Sequence, residues 1–220
     1  MSRFTKHLYA AAVLVAGFAA ALASSLLLTP DGRGGPAVRP AAEALPVRTD
    51  SHRLTRPEWS ELTIVEFLDF ACEGCGAMYP VVERLREEYA DRVTFVARYF
   101  PLPGHRNGEV AARTAEAAAR QGRFGEMYAK LLTTQRAWGE SQEWKQDVCR
   151  GYAEELGLDM ATFDAALADP EVAGRVLGDQ RDGLGLGVRG TPTFLVDGEM
   201  IRVPGSYREF KALIEDRLDG

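Results

Sequence analysis

Apolar residues are most concentrated between positions 62 and 89, and their spacing changes partway along this stretch. The first part is a nearly continuous apolar run, typical of a strand covered on both faces: Leu62, Ile64, Val65, Phe67 and Leu68. After Cys72 and Cys75, the apolar positions follow helical spacing: Met78, Val81, Val82, Leu85 and Tyr89. A second strand-like run covers residues 93–100. The pattern predicts a strand–helix–strand unit, with both cysteines where the first strand passes into the helix.

Helical patterns dominate the middle of the chain. Five stretches have helix-forming composition or helically spaced apolar residues: 109–120, 124–132, 143–156, 160–167 and 170–184. We expect His105 to start the first of these helices, and Pro170 suits the first turn of the last one. No strand pattern occurs between positions 104 and 186. This block is therefore predicted to be entirely helical.

Strand patterns return near the C-terminus. Residues 193–196 form an apolar run, Asp197-Gly198 is a hairpin signal, and residues 199–203 give a return strand. An amphipathic helix is predicted at 206–218. Strands split around a helical block indicate one mixed sheet, so the predicted fold class is α/β with an inserted helical domain. The predicted divisions are 50–104 and 185–220 for the sheet domain and 105–184 for the insertion.

The first 28 residues have a different character. Arg3 and Lys6 precede residues 8–28, which contain no charge, and about 20 apolar residues suffice to cross a bilayer. Ala21-Leu22-Ala23 also fits the cleavage site of a signal peptide. Because hydrophobicity continues past that site, we expect an uncleaved signal anchor in 1–28, with a cleaved signal peptide as the alternative. Residues 29–49 are rich in Pro, Gly and Ala and are predicted to be a flexible linker.

Composition and charge limit the cellular compartments and the binding partners that are compatible with this sequence. The formal net charge is −6, and no cluster of Lys and Arg forms a stripe, which argues against a nucleic-acid partner. Three cysteines in 220 residues are too few for a disulfide-stapled scaffold. The positive charges before the apolar segment should stay inside the cell. The rest of the chain is therefore expected to be an acidic, exported domain in an oxidising compartment.

The two cysteines at the predicted helix start can act as a redox pair. Free N–H groups and the helix dipole stabilise a thiolate there, so Cys72 should have a lowered pKa and be the attacking sulfur. Cys75, one turn inside, should be shielded and resolve the mixed disulfide. The alternatives are a static disulfide or half of a zinc site. Zinc would need further ligands, and only Cys149, His52 and His105 remain outside the apolar segment, at poor spacing.

These motifs resemble the DsbA-like disulfide oxidoreductases of the thioredoxin superfamily. The resemblance extends from about residue 50 to the C-terminus and rests on three segments: EFLDFACEGC, FPLPGH with the following AARTAEAAARQGRF, and GVRGTPTFLVDG. It implies a thioredoxin fold with an inserted helical domain, joined in many members to an N-terminal membrane anchor. Since the sulfurs are the redox group, it implies neither an organic cofactor nor a metal.

The resemblance also implies roles for residues outside the cysteine pair. Glu66 matches an acid that lies behind the buried cysteine and helps to move its proton. The alternatives for this acid are a frayed strand edge or a pair with an arginine. Pro192 matches the cis-proline that faces the disulfide, with an ordinary trans proline as the alternative. Thr191 would then contact both the sulfurs and a substrate segment paired in strand fashion.

Three positions leave questions open. Glu73 and Gly74 stand between the cysteines, where DsbA-like enzymes often have Pro-His or Pro-Tyr. We expect both residues to contact the substrate, but their identity departs from the family pattern. A carboxylate at Glu73 would oppose thiolate formation at Cys72, unless it points into solvent and changes little. Cys149 lies on an apolar helical stripe and is interpreted as a core thiol, with a regulatory or intermolecular disulfide as the alternative.

The sequence thus predicts an extracytoplasmic oxidase that donates the Cys72–Cys75 disulfide to exported, reduced proteins. We expect a monomer at the cell membrane, and the resemblance implies a quinone-coupled membrane reoxidase as partner. A reductase or isomerase of the envelope is the alternative within this class. Outside it, the chain could be a peptide-binding chaperone with an idle disulfide, although binding alone would not need Cys72, Cys75 and Pro192 together.

Overall fold

The computed structural model describes residues 43–220, and all structural statements below concern this part of the chain. The strands are β1 (His52–Arg53), β2 (Leu62–Leu68), β3 (Val93–Tyr99), β4 (Thr193–Val196) and β5 (Glu199–Ile201). The helices are α1 (Glu73–Glu88), α2 (Gly108–Ala119), α3 (Phe124–Thr134), α4 (Gln146–Glu155), α5 (Met160–Ala168), α6 (Pro170–Gly185) and α7 (Tyr207–Asp219), with a 3₁₀ turn at Gln135–Ala137.

The strands form one mixed sheet in the order β1-β3-β2-β4-β5. β2 and β3 are parallel, and the other neighbouring strands are antiparallel. The predicted hairpin joins β4 to β5, and its two turn residues, Asp197 and Gly198, have φ angles of 47° and 86°, the positive values that a type I′ turn requires. The predicted α/β fold class is confirmed. The sheet places β2, and the cysteines that follow it, at its centre.

Alternating side chains of β2 pack against two different layers. Ile64 faces a core that contains Leu85 of α1 and Phe210 of α7. Phe67 points to the opposite face, into a core with Phe100 and Val188. Both faces of the strand are thus covered, which explains its nearly continuous apolar run.

Helices α2 to α6 lie between β3 and β4 in the chain, and a buried arginine joins this helical block to the sheet. Arg98 of β3 is fully buried, and its Nε donates to Asp179 Oδ1 and its Nη2 to Asp182 Oδ2, both at 2.6 Å. Its Nη1 donates to the carbonyl oxygens of Leu45 at 2.9 Å and Pro46 at 2.6 Å. One charged side chain therefore holds together the sheet, helix α6 and the segment before β1.

Some predicted boundaries need correction. Residues 29–42 of the predicted linker lie outside the described part of the chain. At its C-terminal end the predicted linker contacts the domain, since Arg48 forms an ion pair with Asp182. Helix α2 begins at Gly108 and not at His105, and Asn107 is its N-cap residue. The His105 ring instead bonds to the Asp69 carboxylate. The predicted anchor at 1–28 lies outside the described residues. Within residues 43–220, no helix is both long enough and apolar enough to cross a membrane.

Candidate active site

Cys72 lies at the junction between β2 and α1. It is the N-cap of the helix, with φ −77° and ψ 121°, and its carbonyl oxygen accepts the Gly76 N–H at 3.1 Å. Its Sγ lies 3.3 Å from the carbonyl oxygen of Thr191, to which the protonated form of the thiol donates. The sulfur thus lies between the first turn of α1 and the loop that enters β4, as the predicted strand-to-helix placement requires.

Several donors converge on this sulfur and lower the pKa of Cys72 to about 5. The largest contribution is a hydrogen bond from the Cys75 side chain, and burial acts in the opposite direction. The Thr191 hydroxyl and the backbone N–H groups of Cys75 and Gly74 also favour the thiolate. The Thr191 Oγ1 atom is buried and forms no hydrogen bond in the described part of the chain, so its proton is available to the nearby sulfur. Near neutral pH, the reduced site therefore holds Cys72 as a thiolate.

Cys75 has the opposite character. It is 1% exposed, and burial raises its pKa well above the ordinary value, with the hydrogen bond to Cys72 and the nearby Glu66 carboxylate acting in the same direction. None of the three cysteines forms a disulfide in this structure. The pair is therefore asymmetric, with one ionised sulfur at the helix end and one protonated sulfur behind it.

Glu66 lies on the central strand β2, opposite Ala97 of β3 and Phe194 of β4. It is 6% exposed, and burial raises its pKa to about 8, with smaller contributions from Glu83 and Cys72. Among the described residues, no arginine or other side chain forms an ion pair or hydrogen bond with it. The structure thus favours neither the strand-edge alternative nor the arginine-pair alternative. A carboxyl with this pKa carries a proton at neutral pH.

Gly74 and Pro192 meet closely across the site. The Thr191–Pro192 peptide bond is cis. A Cβ atom added at Gly74 would lie 3.1 Å from Pro192 Cδ and 3.8 Å from the Thr191 carbonyl oxygen. The turn between the cysteines therefore approaches the proline loop within contact distance, which favours glycine at this position.

Glu73 is exposed, which favours the solvent-facing alternative for this carboxylate. It lines a groove of about 540 Å³ between α1 and the end of α3. The groove is bordered by Glu73, Gly76, Pro80, Leu132, Thr133, Gln135 and Arg136. Glu73 follows Cys72 directly in the chain, so an extended polypeptide in this groove would lie along the first turns of α1.

Two residues that support the site were not predicted. Asp69 is buried and accepts hydrogen bonds from the Ala71 N–H and Leu102 N–H at 2.9 Å each and from His105 Nδ1 at 2.7 Å. Only the bond to Ala71, two residues on, belongs to a local turn. Gln135, for which the sequence offered no signal, bonds to the backbone of the cysteine loop.

Cys149 is fully buried in the core of the helical block, where burial raises its pKa to about 12. This position agrees with its interpretation as a core thiol. Its neighbour Val148 is 36% exposed and lies outside that core. Within residues 43–220, no group of three or more His, Cys, Asp or Glu side chains is arranged to hold a metal ion.

The fold and the cysteine site are those of a thioredoxin-like protein. A family model described as thioredoxin matches residues 58–216. The chain belongs to this family. The predicted resemblance to DsbA-like members of the superfamily is confirmed at the level of family and fold.

Several solved structures share this fold. A thioredoxin-like oxidoreductase from Silicibacter pomeroyi has a TM-score of 0.68 at 24% identity, and the alignment covers 82% of this chain and 99% of the other. BdbD from Bacillus subtilis, in its oxidised form, has a TM-score of 0.70 at 21% identity, with 83% and 100% covered. Wolbachia pipientis α-DsbA1 has a TM-score of 0.70 at 16% identity, with 79% and 93% covered.

Curated relatives with higher identity are much longer proteins. The Na⁺/H⁺ antiporter NhaA of Herminiimonas arsenicoxydans is 37% identical over 172 residues, which are 77% of this chain and 26% of the relative. The antiporter NhaA 3 of Salinispora tropica is 35% identical over 213 residues, 92% of this chain and 32% of the relative. The chain thus spans about a quarter to a third of the length of these relatives.

Proposed function

We propose that this protein is a thiol–disulfide oxidoreductase that acts as an oxidase, passing the Cys72–Cys75 disulfide to reduced protein substrates. The observation that carries the proposal is the asymmetry of the pair: Cys72 has a pKa of about 5, and the pKa of Cys75 is raised well above its ordinary value. A stabilised Cys72 thiolate makes the reduced form favourable, so that giving up the disulfide is downhill.

The reaction proceeds in two exchanges. A substrate thiolate attacks Cys72 Sγ, the Cys72–Cys75 bond breaks, and a mixed disulfide forms between Cys72 and the substrate while Cys75 leaves. A second substrate thiolate then attacks the substrate sulfur, and Cys72 leaves as a thiolate. The substrate loses two electrons to the protein, and its two thiols lose their protons. A thiol of low pKa is the better leaving group, which suits Cys72 to the second exchange.

Glu66 is proposed to supply the proton that Cys75 takes up when it leaves. Its own pKa of about 8 means that it is protonated at neutral pH, and its ionised form would raise the pKa of Cys75, so that the two groups are close enough to influence each other. In this role it is a general acid in one direction and a base in the other. Thr191 and Pro192 are proposed to pair with the substrate backbone. Glu73 is proposed to contact the substrate from the groove that it lines, and Gly74 to contact it where the turn between the cysteines approaches Pro192.

We further propose that the catalytic domain is held outside the cytoplasm by the apolar segment at 8–28 and is reoxidised by a quinone-coupled membrane protein. The charge pattern of the sequence and the superfamily resemblance support this location. Retention of the protein in membranes after an alkaline wash tests the anchor, and an N-terminus at Ser24 would show cleavage instead. The transport activity named for the antiporter relatives is not part of the proposal, because the chain spans 26% of the first of them.

Trapping of mixed disulfides tests the exchange reaction. In a Cys149→Ala background, which leaves only the two site sulfurs, Cys75→Ser should accumulate mixed disulfides with substrates on non-reducing gels, and Cys72→Ser should trap few. Equal trapping by both variants would overturn the assignment of Cys72 as the sulfur that exchanges with the substrate. Absence of trapping by either variant would favour the chaperone alternative.

A further inference from the structure

One side chain of the helical block bonds directly to the backbone of the cysteine loop. Gln135 begins the 3₁₀ turn that follows α3 and is 6% exposed. Its Nε2 donates to the carbonyl oxygens of Phe70 and Cys72, at 2.7 Å each. Both amide hydrogens are therefore used on the loop that carries the attacking sulfur. Loss of these donors would leave two backbone carbonyl groups with fewer hydrogen bonds, and an unsatisfied buried carbonyl lowers the free energy of unfolding.

The Cys72 carbonyl is the acceptor on which the geometry of the helix start depends. It also accepts the Gly76 N–H at 3.1 Å, as the N-cap carbonyl of α1. The peptide plane of this carbonyl ends in the N–H of Glu73, and the N–H groups of Gly74 and Cys75, which stabilise the Cys72 thiolate, belong to the next two peptide units of the same helical turn. A donor that fixes the Cys72 carbonyl therefore fixes the peptide from which this first turn of α1 starts, and through the turn it positions those N–H groups.

Two glycines leave the space that the Gln135 side chain occupies. A Cβ atom at Gly76 would lie 2.1 Å from Gln135 Oε1, closer than any contact allows. A Cβ atom at Gly139 would lie 3.0 Å from Gln135 Cγ and 3.2 Å from the Ala71 carbonyl oxygen. The amide thus lies in a slot between α1 and the 3₁₀ turn that has room for it only because both neighbours lack side chains.

We propose that Gln135 is a positioning residue, through which the helical block holds the Cys72 peptide and the N-terminus of α1 against the catalytic sulfur. This proposal rests on the proposed role of Cys72 as the reacting sulfur and goes beyond it, since it gives the insertion a part in the chemistry. Gln135 itself touches no reacting atom and acts through the backbone.

The pKa of Cys72 in the reduced protein is the readout, measured from thiolate absorbance near 240 nm as a function of pH. Cys149 and Cys75 have strongly raised pKa values, so that Cys72 is the one sulfur that titrates in the acidic range. Gln135→Met keeps the length of the side chain and removes its donors. We expect it to raise the Cys72 pKa by about one unit or more, because the N–H groups lose their alignment.

Gln121→Met is the matched control. Gln121 also bridges two backbone groups of the helical block, the carbonyl and the N–H of Asp159, at 3.1 Å and 2.9 Å. It lies on the surface away from the cysteines, so its replacement should leave the Cys72 pKa unchanged even if it lowers stability. A purely structural effect of losing a bridging amide would affect both variants alike.

A second variant keeps the test decisive if Gln135→Met does not fold. Gly76→Ala should displace the Gln135 amide and raise the Cys72 pKa, whereas alanine inside a helix is otherwise favourable. In a Gln135→Ala background, the same Gly76→Ala change should have little further effect. An unchanged pKa in folded Gln135→Met, or full additivity of the two substitutions, would overturn the proposal. Continued trapping by Cys75→Ser in that case would leave the exchange reaction standing.

Discussion

The low pKa of Cys72 predicts that the stability of the reduced protein depends on pH through this one sulfur. The pKa is about 5 in the folded protein, against an ordinary value of 9.0. Below pH 5, the folded and unfolded states both hold the proton, and the sulfur contributes nothing. Between pH 5 and 9, the unfolded state binds more protons than the folded one, so that stability rises with pH. At about 1.4 kcal/mol per unit, the upper limit at pH 7 is about 2.7 kcal/mol.

Urea or guanidinium unfolding of the reduced protein between pH 5 and 8 measures this contribution. The Cys72→Ser variant provides the baseline, because it removes this sulfur and keeps every other titrating group, with only the small contribution of Cys72 to the pKa of Glu66 lost. The free energy of unfolding of the wild type, minus that of the variant, should increase by about 1–1.4 kcal/mol for each pH unit. If the two stability curves run parallel over this range, the folded protein does not favour the thiolate, and the reasoning about its oxidising power fails.

Two further substitutions test buried charges. Glu66→Gln should stabilise the protein at pH 7 by up to about 3 kcal/mol, because a carboxyl whose pKa is raised on folding opposes folding at every pH above about 4.5. The same variant should slow thiol exchange. As the control, Glu87→Gln on the exposed side of α1 should change stability by only a few tenths of a kcal/mol. Arg98→Met should cost about 3–5 kcal/mol in denaturant unfolding, because it leaves buried carboxylates such as Asp179 short of a partner. Arg92→Met, which removes an exposed ion pair, should cost under about 1 kcal/mol. Equal losses from both arginine variants would contradict the assigned burial.

The parts of the fold that the sequence predicts are those that depend on local periodicity. β2 is buried on both faces and therefore reads as a continuous apolar run, and α1 has its apolar residues at helical spacing. The cysteines follow this strand directly, so their position at the helix start required no long-range information. The hairpin at Asp197-Gly198 is equally local, because its backbone needs two residues that tolerate positive φ.

The parts that the sequence does not predict depend on contacts between distant segments. Arg98 stands in an apolar run without any local sign that it is fully buried, and its partner Asp179 lies 81 residues away. Gln135 resembles any polar residue after a helix, and its bond to the Cys72 carbonyl spans 63 residues. Asp69 gives a local turn signal, but its bond to Leu102 depends on the parallel pairing of two strands. The periodicity of apolar residues predicts the individual helices and strands, whereas these side chains connect helices and strands that are distant in the sequence.

The most direct test of the oxidase proposal is the reduction potential of the Cys72–Cys75 pair, measured by equilibration with glutathione buffers. Stabilisation of the Cys72 thiolate predicts a potential less negative than about −200 mV, toward the value of about −120 mV that characterises a strong dithiol oxidant. A potential at or below about −270 mV, the value of thioredoxin, would contradict the proposed direction of electron flow and favour a reductase.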